Sequence, residues 1–321
     1  MKVVLASRVA LDPVLSVLKS QPEIELIHCR DHGEVPRALE GADLAVLSDP
    51  KGAEGPPIVR ALQQPGRTVR WVQVTTAGAD GLLMHGPLPP ELVLTNQGGA
   101  VAPTVAEHAM AMILAMTRQM PTILARSSRR EWIKEFSPPL MALEGRTLAI
   151  VGYGHLGRQV AKRARGFDLK IVGLSRSLTS DPLADEMLPL ERLHDALARA
   201  DVVAVTVASV PATRHLLDAT AFQTMKRGAL LVNVSRGETV DQVALRAALQ
   251  DGRLAGAFID VADPEPLPAD DPLWDAPNLI VSPHSAGHGG TRTGARIAQT
   301  LTENLARFRA GQPLLHRLET A

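Results

Sequence analysis

The chain has 321 residues, 34 Lys+Arg against 34 Asp+Glu, and a formal net charge of zero; this gives length for two buried cores and removes any broad electrostatic drive toward nucleic acid or an anionic membrane. A single cysteine, Cys29, excludes an internal disulfide and suits a reducing compartment. The N-terminal MKVVLASRVALDPVLSVLK reads as a strand and helix rather than a signal peptide, so a cytoplasmic protein with a small-molecule partner is expected.

In chain order, KVVLAS (2–7), IELIHC (24–29), ADLAVLS (42–48), VRWVQVTT (69–76) and LVLTNQ (92–97) are short apolar runs separated by helical stretches. That alternation predicts an α/β domain with a parallel sheet. A long helix is predicted from Pro103, stopped near Pro121. Its apolar stretch AEHAMAMILAM (106–116) falls short of the ~20 residues that span a bilayer. The polar piece 127–146 reads as a connector. Strands then resume with RTLAIVGYG (146–154), LKIVGLS (169–175), ADVVAVTV (200–207), GALLVNVS (228–235), LAGAFIDV (254–261) and NLIVSPH (278–284), each apolar enough to be buried on both faces. One long helix remains, 289–311, and a lone helix needs a face to bury. The first domain is the natural place for it, which makes that domain discontinuous: residues 1–98 with 288–321, around a second domain of 99–287. The fold class expected is α/β with two doubly wound parallel-sheet domains, and the chemistry is expected in the cleft between them.

In LAIVGYGHLGRQVAKRA, Gly152, Gly154 and Gly157 form GxGxxG directly after a strand and before an amphipathic helix. This is the context a dinucleotide pyrophosphate requires: a tight turn, close backbone approach, close helix packing and a helix N-terminus facing the phosphates. Where NAD sites carry Asp or Glu after the second strand, this chain has Ser175, Arg176 and Ser177. A carboxylate would repel a 2′-phosphate, whereas a hydroxyl and a guanidinium would bind it. The expected cofactor is therefore NADP, with NAD possible. The alternative is that Arg176 is a solvated loop residue.

Three later strands each deliver polar or ionisable residues at their carboxyl ends, where open α/β sheets bind ligands: Arg236, Asp260 with Glu265 close behind, and His284. A fork for a carboxylate and carbonyl, together with a proton donor, is what reduction of a 2-keto acid needs. Taken singly each has a structural reading: a loop cation, a turn or cap acid, a surface acid among prolines, a satisfied histidine at a strand end. His28, Cys29 and His32 lie close in sequence but lack a fourth ligand, so no metal is expected. His288 reads as a helix-start residue.

These blocks resemble the D-isomer-specific 2-hydroxyacid dehydrogenases nearly end to end. The resemblance is carried by VQVTTAGADGL (72–82), LTNQGG (94–99), VAEHAMAMILAMTRQ (105–119), Trp132, LEGRTLAIVGYGHLGRQVA (143–161), residues 210–241, DVADPEPLPADDPLW (260–274) and VSPHSAGH (281–288). It implies a discontinuous flavodoxin-like substrate domain and a Rossmann NAD(P)-binding domain. It also implies roles. Arg236 would bind the substrate carboxylate and carbonyl, His284 would donate the proton, and Glu265 would pair with it. Asp260 would hold the nicotinamide carboxamide, His155 and Leu156 would lie on the pyrophosphate, and Val234 and Ser235 would border the nicotinamide. Ala77 and Gly78 would offer backbone N–H groups to the carboxylate. The implied reaction reduces glyoxylate or hydroxypyruvate to a D-2-hydroxy acid, in a homodimer that buries the helix 103–118. Departures from the pattern are Thr206 and Ala208 after the strand ADVVAV, the missing acid at Ser175, and Glu265 in place of the glutamine of formate dehydrogenases, which disfavours formate. Two other readings stay open: a dinucleotide-sensing regulator resembling transcriptional corepressors, and phosphite oxidation.

Overall fold

The computed structural model describes residues 1–177, 179–289 and 291–318. The chain divides into two compact units, Met1–Val101 with Gly289–Ala321, and Ala102–His288.

In the first unit, β1 (Lys2–Ala6), β2 (Glu25–His28), β3 (Leu44–Leu47), β4 (Trp71–Val74) and β5 (Val93–Thr95) form an all-parallel sheet in the order β2-β1-β3-β4-β5. The connections run through α1 (Leu11–Lys19), α2 (Val35–Ala38), α3 (Gly55–Gln63) and α4 (Asp80–Leu83). Successive strand residues point to opposite faces, so each central strand feeds two cores. Val4, Ala6, Leu47 and Val74 pack with Ile58 and Leu62 of α3. On the other face, Val3, Leu5, Val46 and Trp71 pack with Val14 and Leu18 of α1 and with Ile297, Leu301 and Leu305 of the C-terminal helix Thr291–Arg309. The C-terminal helix therefore buries its apolar stripe in this unit. Within this unit Arg296 Nε donates to Ala100 O at 2.7 Å and ties the 98–101 turn to that helix.

The second unit begins with α5 (Ala102–Thr117) and α6 (Met120–Ser128). The helix expected from Pro103 is α5, and it stops at Thr117, near Pro121 as expected. The sequence reading lacks α6, which starts after Gln119 (φ 51°) with Pro121 in its first turn, where a missing N–H costs nothing. The apolar face of α5 is buried inside this unit through Ala106, Ala109, Met110 and Ile113. Exposed apolar side chains lie on α6 and the following connector instead, Leu124, Trp132, Ile133 and Leu140 among them.

Seven strands follow: β6 (Thr147–Val151), β7 (Lys170–Leu174), β8 (Glu186–Leu188), β9 (Val202–Val205), β10 (Ala229–Asn233), β11 (Leu254–Ile259) and β12 (Leu279–Val281). They form a parallel sheet in the order β12-β11-β10-β9-β6-β7-β8. Between them run α7 (His155–Ala164), α8 (Leu193–Leu197), α9 (Ala219–Thr224) and α10 (Gln242–Gln250). The strand order reverses between β6 and β9, and the crevice outside their carboxyl ends is where such sheets hold ligands. β8 is absent from the sequence reading; it has three residues and sits at the sheet edge.

Candidate active site

At the carboxyl end of β6 the glycine turn leaves the sheet. Gly152 has φ +100°, and a Cβ there would collide with the Val207 backbone; one at Gly157 would lie 2.6 Å from Gly152 O. Gly154 differs, since a Cβ added to it meets nothing within 4 Å. It is the extended N-cap of α7, and both it and His155 are exposed. The first-turn N–H groups of this ten-residue helix, those of His155 and Leu156 included, thus border open space, which fits a dinucleotide pyrophosphate. Thr206, a departure from the family pattern, donates its hydroxyl to Gly152 O at 2.8 Å and secures the turn.

Beyond β7, Ser175 is half-buried, with its N–H on Leu188 O and its Oγ accepting from Ser177 N. Arg176 and Ser177 are exposed. A carboxylate of the same loop, Asp181, which the sequence reading did not single out, lies near the glycine turn. It accepts from Arg158 Nε at 2.6 Å, from Leu183 N at 2.9 Å and from the Tyr153 hydroxyl at 3.2 Å. Burial works against its charge, but Arg158 and the Leu183 N–H outweigh that and hold the carboxyl below the usual carboxylate range. Burial, and then Asp181, push the Tyr153 phenol up. Tyr153, Arg158 and Asp181 together pin the loop that carries Arg176 onto the glycine turn.

Arg236, half-buried, stands just past β10. Its carbonyl accepts from Asn233 Nδ2 (3.0 Å) and Thr239 Oγ1 (2.7 Å), and its Nη1 donates to Ser235 O (2.8 Å). Val234 and Ser235 are buried, and the Ser235 hydroxyl is engaged with Asn233 and Thr239. Asp260, at the end of β11, is 3% exposed. Its carboxylate accepts from the Ser282 hydroxyl, from Ser285 N (2.9 Å) and from Ala286 N (3.0 Å to Oδ2). Asp260 therefore ties down the loop after β12. A carboxylate offers about four lone-pair sites, so Oδ2 keeps room for one more donor.

That loop presents His284, in left-handed backbone (φ 52°), with its N–H on Asp260 O at 2.7 Å. His284 Nδ1 lies 2.7 Å from Glu265 Oε1, and both side chains are more than a third exposed. The histidine thus meets a carboxylate at Nδ1 on a side chain that is itself part exposed. His288 is exposed, with its N–H on Ser285 O. In the first unit, Ala77 and Gly78 follow β4, where Asn96 Nδ2 donates to Ala77 O (2.7 Å) and Thr76 Oγ1 to Gly78 O (2.8 Å). His32 is buried against Ser48 O (2.8 Å) and Glu54 (3.2 Å). Among the described residues no helix is long and apolar enough to cross a membrane.

Residues 110–286 match the model of the D-isomer specific 2-hydroxyacid dehydrogenase, NAD binding domain. The chain belongs to this family. Among curated relatives, the glyoxylate reductase of Korarchaeum cryptofilum is 34% identical over 275 residues, 84% of this chain and 80% of that protein. Among solved structures, a D-isomer specific 2-hydroxyacid dehydrogenase family protein from Aeromonas salmonicida superposes with a TM-score of 0.86 at 30% identity, over 100% of this chain and 99% of that one. An NADPH-dependent glyoxylate/hydroxypyruvate reductase from Sinorhizobium meliloti, solved with NADP and sulfate, gives 0.83 at 25% identity, over 99% and 98%. As a family member the protein is an NAD(P)-dependent oxidoreductase of 2-hydroxy acids, with the family's pair of parallel-sheet α/β domains. The regulator and phosphite readings are not favoured by these matches.

Proposed function

We propose that the protein is an NADPH-linked reductase of small 2-keto acids, with glyoxylate and hydroxypyruvate as first candidates. The observation that carries the proposal is the His284–Glu265 pair at 2.7 Å, on the carboxyl edge of the sheet that also carries Arg236. When bound, the cofactor supplies the hydride. Gly154, His155, Leu156 and Gly157 would hold its pyrophosphate, Ser175, Arg176 and Ser177 its 2′-phosphate, and Asp260 Oδ2 the carboxamide, with Val234 and Ser235 bordering the nicotinamide.

Arg236 would grip the substrate carboxylate and carbonyl as a fork, with the N–H groups of Ala77 and Gly78 as further donors to the carboxylate. His284 would donate its proton to the carbonyl oxygen as negative charge develops there, and serve as base in the reverse direction. Glu265 fixes the ring orientation through Nδ1 and stabilises the charged imidazole. The product would be the D-2-hydroxy acid.

We further propose a homodimer in the cytoplasm. Met120, Ile123, Leu124, Trp132, Ile133 and Leu140 of α6 and the connector are all exposed, and a stretch of chain so rich in exposed apolar side chains favours an association surface there. Light scattering behind size exclusion tests it: a monomer at micromolar concentration overturns the dimer.

The deciding experiment follows NADPH and NADH oxidation side by side against glyoxylate, hydroxypyruvate, pyruvate and larger 2-keto acids. NADPH-favoured turnover of glyoxylate or hydroxypyruvate is expected. Cofactor binding without turnover of any keto acid would sink the proposal.

A further inference from the structure

We infer that Gln242 is a positioning residue for the His284–Glu265 pair. Gln242 is the first residue of α10, following the N-cap Asp241, whose carboxylate accepts from Val243 N and Ala244 N. Its carboxamide closes a ring on the backbone of a single residue: Nε2 donates to Asp263 O and Oε1 accepts from Asp263 N, both at 2.8 Å. Only a primary amide offers a donor and an acceptor side by side for such a ring; a glutamate could take the N–H but would set its oxygen against the carbonyl.

Asp263 stands midway along the chain between the two carboxylates that hold the histidine. Asp260 anchors the His284 loop, Glu265 pairs with the ring, and the residues between them form no helix or strand. Among the described residues the other side-chain hold on Asp263 is Arg214, at 3.2 Å and more than half exposed, a kind of pair that contributes little. The same piece of chain begins with Arg236. Directly after it, Gly237 lies so close to Ala262 that any Cβ would collide with the Ala262 backbone. Five residues beyond Gly237, Gln242 grips Asp263. The segment 236–242 thus sets the spacing between the Arg236 turn and the loop that presents Glu265.

The inference rests on the proton-donor reading of His284, so its test is a double-mutant cycle in the intact protein. Gln242→Ala is expected to lower kcat about 10-fold, as a small displacement of a catalytic group does, with the keto-acid KM and the NADPH Kd changed less than about 2-fold. In a Glu265→Gln background the same change should cost less than about 2-fold, because the displaced partner is already gone. Gln242→Glu, which sets a carboxylate oxygen against Asp263 O in place of the Nε2 donor, should lower kcat at least as much as Gln242→Ala. Equal factors in both backgrounds, or a lower Tm with kcat unchanged, overturn the inference and leave the proposed function standing. Full turnover by His284→Ala overturns both.

Discussion

The two ends of the carboxyl edge in the second unit are built in opposite ways. At the β6–β7 end the chain strips side chains away: glycine at 152, 154 and 157, and an α7 N-terminus with no side-chain cap. At the β10–β12 end it ties side chains down: Asn233 and Thr239 on the Arg236 carbonyl, Asp260 on the N–H groups of the His284 loop, Glu265 on the ring itself. The difference follows from what each end handles. A pyrophosphate is recognised by backbone N–H groups, which must be bare to be reached. A proton donor must hold one orientation, and an exposed loop holds one only if its polar groups are bonded inward. The contrast predicts which substitutions damage binding and which damage the chemical step.

The largest effect is expected from His284→Ala. A lost general acid costs about 10²- to 10⁴-fold in kcat, while NADPH affinity, measured by fluorescence titration, should stay within about 2-fold. A comparable loss of cofactor binding would erase the division between the two ends. At the other end, Arg176→Asp should weaken NADPH by about 10- to 100-fold, the worth of one charge-assisted bond, and leave NADH nearly unchanged. Equal losses for both cofactors would mean that Arg176 faces solvent and does not read the phosphate. Asp260→Asn is a milder test of how far stability and catalysis are joined. The new NH₂ group would face N–H donors in a buried place, at a cost of about 1–3 kcal/mol, so Tm and kcat should fall together. A lower Tm with kcat intact would detach Asp260 from the placement of His284.

How much of this was legible in the sequence differs between the same two ends. The glycine turn is a local pattern, strand then GxGxxG then helix, and the missing acid at Ser175 can be read at a fixed distance beyond it. Arg236, Glu265 and His284 could be singled out as polar residues at strand ends, but nothing in spacing says that residues 19 apart, Glu265 and His284, come within 2.7 Å; resemblance supplied that. The supports were invisible altogether. Gln242 reaches Asp263 across 21 residues and Asp181 reaches Tyr153 across 28, and neither has periodicity or a motif to mark it. Two fold details were missed for local reasons. β8 has three residues with a glutamate at its head, too short to show alternation, and α6 was missed because Pro121 marks the end of α5 and also opens the helix after it.

The smallest effect expected is on acid stability, and it lies at the opposite edge of the same sheet. Asp201 precedes β9 and is mostly buried; it accepts from Thr147 N at 2.9 Å and lies 3.2 Å from Lys226 and 3.3 Å from Arg146. Burial opposes its charge, but the Thr147 N–H, Lys226 and Arg146 together hold the carboxyl below the usual carboxylate range. A carboxyl whose folded pKa is depressed adds stability above its unfolded value of about 3.9 and loses it as the pH falls through the folded one. The second unit should therefore lose stability from about pH 4 downward. Asp201→Asn should lower Tm at pH 7 and flatten that decline, while activity per folded molecule stays unchanged, because the residue lies at the amino ends of the strands. A Tm difference between parent and variant that stays constant from pH 7 to pH 3 would show that Asp201 stabilises the sheet by shape and hydrogen bonding alone, with no contribution from its charge.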